Sequence, residues 1–211
     1  MRYKILIALT AISICSYAQT KDNKNNISIG FGTQSYKGDL GNTWFNFHEE
    51  WYGVLRLEYS RYLFSSIDVT VSSTSGDFGH CKDAEDPALW PEGTPVLNMH
   101  SRLTTGNIQL KYKFANGYLL KEESRIAPYL YAGAGIDNVQ DIWTHNTRVN
   151  PGTYIAITGG AGVRFNFCEK ISFTYNIGFG YFTNDKLDFG YGTHNSNPMY
   201  MQNTYSLGYN F

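Results

Sequence analysis

From Asn26 to the C-terminus the chain alternates apolar and polar residues with a period of two, eight times over, and nowhere sustains a period of 3.6. Ile27-Ser28-Ile29-Gly30-Phe31, Leu55-Arg56-Leu57-Glu58-Tyr59 and Ile108-Gln109-Leu110-Lys111-Tyr112 are clear instances. Successive side chains of a strand point to opposite faces, so this pattern dictates strands with one apolar and one polar face. The predicted strands are Asn26–Tyr36, Trp51–Tyr62, Ile67–Ser75, Arg102–Phe114, Ile126–Asp137, Tyr154–Phe165, Ile171–Thr183 and Met199–Phe211. Most approach or exceed the roughly 9–11 residues that a tilted strand needs to cross a bilayer, and the third is at the lower limit.

The connections alternate in length. Residues 37–50, 76–101, 138–153 and 184–198 are long and polar, whereas 63–66, 115–125 and 166–170 are short. Long loops outside and short turns in the periplasm are the rhythm of an outer-membrane barrel. Pro87, Pro91 and Pro95 argue against further strands in the second long loop. The predicted fold class is therefore all-β: an eight-stranded antiparallel up-and-down transmembrane barrel, with both mature termini in the periplasm.

The first eighteen residues stand apart. Arg2 and Lys4 precede an apolar stretch from Ile5 to Ile14, and Ser16-Tyr17-Ala18 places small residues where a signal peptidase reads. This predicts a cleaved signal peptide at 1–18 and one barrel domain at 19–211. Lipoprotein processing at Cys15 is the rival, disfavoured by the bulky Ile14 before it. Cleavage removes two of the 17 Lys and Arg, leaving 15 against 18 Asp and Glu and a net charge of −3. That balance excludes a strongly basic nucleic-acid binder. Beyond the signal no apolar run reaches eighteen residues, so no transmembrane helix is predicted.

Alternation alone fits a soluble lipocalin-like binder as well as a membrane barrel. Three features favour lipid on the apolar face. The chain ends on Tyr205, Leu207, Tyr209 and Phe211 at two-residue spacing, similar to the C-terminal signal read by the outer-membrane insertion machinery. The apolar face carries one charge, Arg61, at a strand end. A cation there would cost about 2–4 kcal/mol at mid-bilayer and little at the rim. Tyrosines cluster near strand ends, as interfacial girdles require. Asn203 fits less well and is expected near the outer rim.

The polar face then points into a lumen only wide enough for side chains to fill. Arg56, Glu58, Asp68, Lys111, Lys113 and Arg164 lie on it, nearly all in the periplasmic half. Gly133, Gly135, Gly160, Gly162, Gly178 and Gly180 on the same face are expected to leave room for the long cations. A hydrogen-bonded ion-pair network that plugs the lower barrel is the preferred reading, and a narrow ion pore lined by the same residues is the alternative.

Phe31-Gly32-Thr33-Gln34-Ser35-Tyr36-Lys37-Gly38-Asp39-Leu40-Gly41-Asn42 resembles the opening of Bacteroidetes-type outer-membrane barrel proteins. Gly76-Asp77-Phe78-Gly79-His80-Cys81, the segment from Thr105 to Phe114 and the segment from Ala127 to Gly135 resemble them too. Together they look like the N-terminal barrel of OmpA-like proteins, over nearly the whole mature chain. The resemblance implies a barrel often followed by a peptidoglycan-binding domain, which the residues up to Phe211 do not include. It implies no catalytic residues.

Other chemistry is thin. The five histidines, His48, His80, His100, His145 and His194, all fall in predicted loops. His80 and Cys81 near Asp83, Glu85 and Asp86 could hold a cation, but solvated loop residues are the simpler account. Cys81 and Cys168 are placed at opposite ends of the barrel, too far apart for a disulfide. His100 with Ser101 and His194 with Ser196 are the nearby Ser–His pairs, and neighbours in a loop are weak support for a nucleophile. No metal, cofactor or catalytic residue is predicted, and so no enzyme. The expected partners are outer-membrane lipid, the insertion machinery and an external partner at the four long loops. Trp44-Phe45-Asn46-Phe47 is expected to pack on the rim.

Overall fold

A computed structural model describes residues 24–37, 51–80, 98–145, 148–149, 151–183, 188–189 and 198–211. Its strands are β1 (Asn25–Lys37), β2 (Tyr52–Phe64), β3 (Ile67–His80), β4 (Asn98–Lys113), β5 (Ile126–His145), β6 (Arg148–Val149), β7 (Gly152–Asn166), β8 (Ile171–Phe182), β9 (Asp188–Phe189) and β10 (Met199–Asn210). Eight of them close into a barrel in the order β1-β10-β8-β7-β5-β4-β3-β2, every pairing antiparallel. The short β6 and β9 pair with each other outside it. Asn25 and Phe211 exchange two backbone hydrogen bonds of 2.9 Å, so the first and last strands seal the barrel at the end that also carries the short turns.

The apolar face is outside. Ile27, Ile29, Phe31, Leu55, Leu57, Ile108, Leu110, Leu130, Ile155, Ile157 and Leu207 are all more than half exposed, and they form a belt around the barrel. The polar face is inside, where Arg56, Glu58, Asp68, Thr70, Gln109, Lys111, Asn176 and Thr204 are buried. A lipocalin-like barrel needs the opposite arrangement, with its apolar face lining the interior. This observation removes that alternative.

Several strands run further than the sequence predicts. β3 continues to His80 and β4 starts at Asn98, both inside the predicted loop 76–101, and β5 continues to His145 inside the predicted loop 138–153. The reason is an inversion of the pattern. Near the long-loop end the inward residues become apolar, with Tyr36, Phe78, Leu103, Val139, Phe182 and Tyr200 packed in one cluster inside the barrel. The outward residues there become polar, as at Asp77, Arg102 and Gln140. A template with the apolar residues outside stops matching at Ser75 and Arg102, although the backbone ladder continues. Residues 38–50, 81–97, 146–147, 150, 184–187 and 190–197 lie outside the described residues, and with them the candidate cluster at Cys81, Asp83, Glu85 and Asp86 and the pair His194 and Ser196. So do residues 1–23, with the expected signal peptide.

Candidate functional site in the barrel interior

The interior is built in layers, each supplied by the inward parity of neighbouring strands. On β2 the inward residues are Arg56, Glu58 and Ser60, and on β4 they include Gln109, Lys111 and Lys113. Glu58 is the hub. Its Oε2 accepts from Arg56 Nη2 at 2.7 Å and Nε at 3.1 Å. Its Oε1 accepts from Lys111 Nζ at 2.6 Å and from the Ser60 hydroxyl at 3.1 Å. Lys111 reaches past β3 to meet it, since β3 lies between β2 and β4. Closer to the short-turn end, Lys113 Nζ lies 2.6 Å from Asp68 Oδ1. Arg164 is buried on β7, close enough to both lysines for their charges to repel. The six charged residues singled out by sequence therefore form a triad, a pair and one further cation along the lower lumen.

Two tyrosines complete this layer. Lys111 Nζ lies 4.6 Å from the centroid of the Tyr129 ring, and Lys113 Nζ lies 4.4 Å from that of Tyr62. The Tyr129 hydroxyl donates to Asn176 Oδ1. The inward glycines make room for rings and amides, which corrects the expectation that they accommodate the cations. In register, Tyr129 pairs with Gly162 and Tyr131 with Gly160. A Cβ built at Gly160 would sit 2.8 Å from the Tyr131 Cζ and hydroxyl. Gly180 makes the same room for Tyr200, and Gly133 and Gly135 for Gln109 and Asn107.

Above the charges lies a neutral layer. Gln202 Nε2 donates to Gln34 Oε1 and across the lumen to Thr74 Oγ1, both at 3.0 Å. Thr74 and Thr105 hydroxyls are 2.9 Å apart, and Asn107 Nδ2 donates to Thr105 at 3.0 Å. Asp137, fully buried, faces this layer beside Tyr200. The aromatic cluster closes the long-loop end, with Phe182 against Tyr200 at 5.5 Å and Tyr36 against Phe78 at 5.3 Å between ring centroids. Buried side chains line the lumen in layers from the triad to the cap, in an interior of a size that side chains can fill.

Tyr205, Leu207, Tyr209 and Phe211 are not part of this interior. They line one outward face, where Tyr205 stacks on Tyr175 at 5.0 Å and Tyr209 on Phe211 at 6.3 Å. His100 and Ser101 sit on opposite faces of β4. Ser101 is buried inside, and His100 Nε2 lies 3.3 Å from Asp77 on the exterior, so the two do not form a nucleophile pair. Arg102 also binds Asp77, and this hydrogen bond holds the Asp77 carboxyl below the usual carboxylate range. Among the described residues no group of His, Cys, Asp and Glu is placed to hold a metal ion.

No protein-family model matches the sequence, and no curated protein matches it. Solved structures do. Neisserial surface protein A is 12% identical, covers 89% of this chain and 97% of its own, and superposes with a TM-score of 0.59. Ail, the attachment invasion locus protein of Yersinia pestis, is 14% identical over 90% of this chain and 99% of its own, with a TM-score of 0.51. The chain has the fold of the small outer-membrane β-barrels. At these identities the likeness concerns the fold alone. One sequence-based expectation needs correcting. The matches include the outer-membrane enzyme PagL, 13% identical over 86% of this chain and 97% of its own, with a TM-score of 0.43. A shared fold hosts many functions and does not exclude catalysis, and the expectation of a non-enzyme is withdrawn.

Proposed function

We propose that this chain is exported by the signal at 1–18, inserts in the outer membrane through Tyr205, Leu207, Tyr209 and Phe211, and serves there as a sealed barrel. Its role is structural, or it presents the loops 37–50, 76–101, 138–153 and 184–198 to an external partner. The inversion of the inside–outside pattern carries this reading. Over most of its length the barrel is apolar outside and polar inside, which suits lipid. At the long-loop end it is polar outside and apolar inside, which suits water. The barrel thus stands in a bilayer with its long-loop end in an aqueous compartment. The short turns and both strand termini are assigned to the periplasm, as the alternation of long and short connections implies.

The triad around Glu58 and the aromatic cap act as two plugs in series. Small ions meet paired charges below and rings above. Two measurements test this. The membrane-fraction protein should migrate differently before and after boiling, and deletion of Phe211 should abolish both the shift and the membrane location. In planar bilayers the wild type should be silent, while Glu58→Ala combined with Phe182→Ala, which opens both plugs, should leak. Stable conductance by the wild type would establish the narrow pore instead.

A further inference from the structure

A groove of about 560 Å³ opens on the outer surface of β1–β4, towards the long-loop end. Its lower walls are Phe31 and Leu55, two of the most exposed side chains of the apolar belt. Its upper wall is Asp77 and Arg102. Between them lies Gly53, whose missing side chain leaves a notch: a Cβ built there meets nothing within 4 Å. Across this one groove the surface turns from apolar to charged, in the order in which a lipid turns from acyl chain to headgroup.

Arg102 is half exposed and donates to Asp77 Oδ1 through Nε at 2.8 Å. That bond fixes the guanidinium plane, and no acceptor among the described residues engages its two Nη groups. Asp77 is shared with His100, which is held in turn by stacking on Tyr52 at 5.2 Å. One carboxylate thus orients two bases at the level where phosphates of the outer leaflet would lie. A guanidinium with a free fork matches a phosphate, through two parallel charge-assisted hydrogen bonds.

We infer that this groove binds a phosphate-bearing lipid of the outer leaflet, its acyl chain in the notch over Gly53 and its phosphate on Arg102. The inference rests on the outer-membrane reading above. The pairing of Arg102 with Asp77 makes the recognition directional and keeps the site from acting as a bare cationic patch.

The test uses the full chain folded into phosphatidylcholine vesicles. These are left plain, doped with diphosphorylated lipid A, doped with the same lipid stripped of phosphate, or plain with inorganic phosphate in the buffer. The readout is the temperature at which the folded gel band disappears, followed against lipid A content. Lipid A should raise it, and neither the stripped lipid nor inorganic phosphate should. Arg102→Ala should weaken the response about tenfold or more, since it removes charge-assisted hydrogen bonds. Gly53→Leu should weaken it by filling the notch, and because the position is open this variant should fold normally. Arg61→Ala, at the opposite end of the barrel, should leave the response intact. An equal response to stripped lipid, its reproduction by inorganic phosphate, or a full response in Arg102→Ala or Gly53→Leu overturns the inference. A wild type that folds into none of the vesicles overturns the membrane reading itself, and this site with it.

Discussion

Glu58→Gln separates an interior held by charge from one that is merely filled. The substitution keeps the side-chain shape and one acceptor oxygen, so it opens no cavity. It removes the negative charge that Arg56 and Lys111 share at 2.7 and 2.6 Å. All three side chains are at most 5% exposed, so solvent screens them little. Breaking a buried pair by removing one partner costs about 3–5 kcal/mol, chiefly because a buried charge is left uncompensated. Two cations lose the same partner here, and Arg164 adds a third positive charge nearby. We expect the upper half of that range. Against the roughly 5–15 kcal/mol typical of folded domains this is a large fraction. Equilibrium urea unfolding in phospholipid vesicles, read by gel shift and tryptophan fluorescence, measures it. The companion variant replaces the whole triad with Arg56→Met, Glu58→Leu and Lys111→Met. It should lie within about 1 kcal/mol of wild type or above it, because removing all three charges also removes their desolvation penalty. A loss below about 1 kcal/mol for Glu58→Gln, or a triple variant as damaged as the single one, would refute the reasoning.

The opposite sign is expected at Asp137, which is fully buried and makes no ion pair among the described residues. Asp137→Asn should leave the urea midpoint unchanged or raise it, because no cation among the described residues offsets the burial of this carboxyl beside the Tyr200 hydroxyl. Gly162→Ala should cost about 1–3 kcal/mol by driving a methyl into the Tyr129 ring. Tyr129→Leu in the same chain should recover part of that loss, and a double-mutant cycle reads the coupling. Phe182→Ala removes a ring packed on Tyr200 and Tyr154 and should cost about 3–5 kcal/mol, seen as a lower melting temperature of the folded gel band.

The eight strands and their alternate connections follow from period-two patterning, which any half-buried strand must show. The aromatic cap was not legible in the same way. Phe78, Leu103 and Val139 sit in segments whose outward neighbours are charged or polar, and a single template cannot show that its own polarity has reversed. Asp137 was within reach. It continues the inward series Tyr129, Tyr131, Gly133, Gly135, but it stands at the end of the predicted fifth strand, where the reading turned to loop. Parity places Glu58 and Lys111 inside, whereas their meeting past β3 depends on the registers of β2 and β4 against it. The same holds for the tyrosine–glycine pairs between β5 and β7, since register is set by the long-range pairing of the two strands. The proposed export and insertion signals are addresses for other machinery, and the fold of the described residues does not test them.

The inversion does more than seal the lumen. It also fixes how deep the barrel sits. On β3 the outward series runs Ile67, Val69, Val71, Ser73, Ser75, Asp77, and on β4 it runs Tyr112, Leu110, Ile108, Gly106, Thr104, Arg102 in the same direction. Small and hydroxylated residues thus separate the apolar belt from the charged rim on both strands. A barrel pushed deeper would carry Asp77 and Arg102 into hydrocarbon, at a cost for the cation that rises towards about 2–4 kcal/mol at mid-bilayer. A barrel pulled outward would bring Phe31 and Leu55 into water, at about 25 cal/mol for each Å² of apolar surface exposed. The two penalties oppose each other across a band of two outward residues on each of β3 and β4. The aromatic cap begins at that same level on the inside, with Phe78 on the residue after Asp77 and Leu103 on the residue after Arg102. Lipid therefore ends outside at the height where apolar packing begins inside. One reversal of pattern sets both the depth of insertion and the position of the seal.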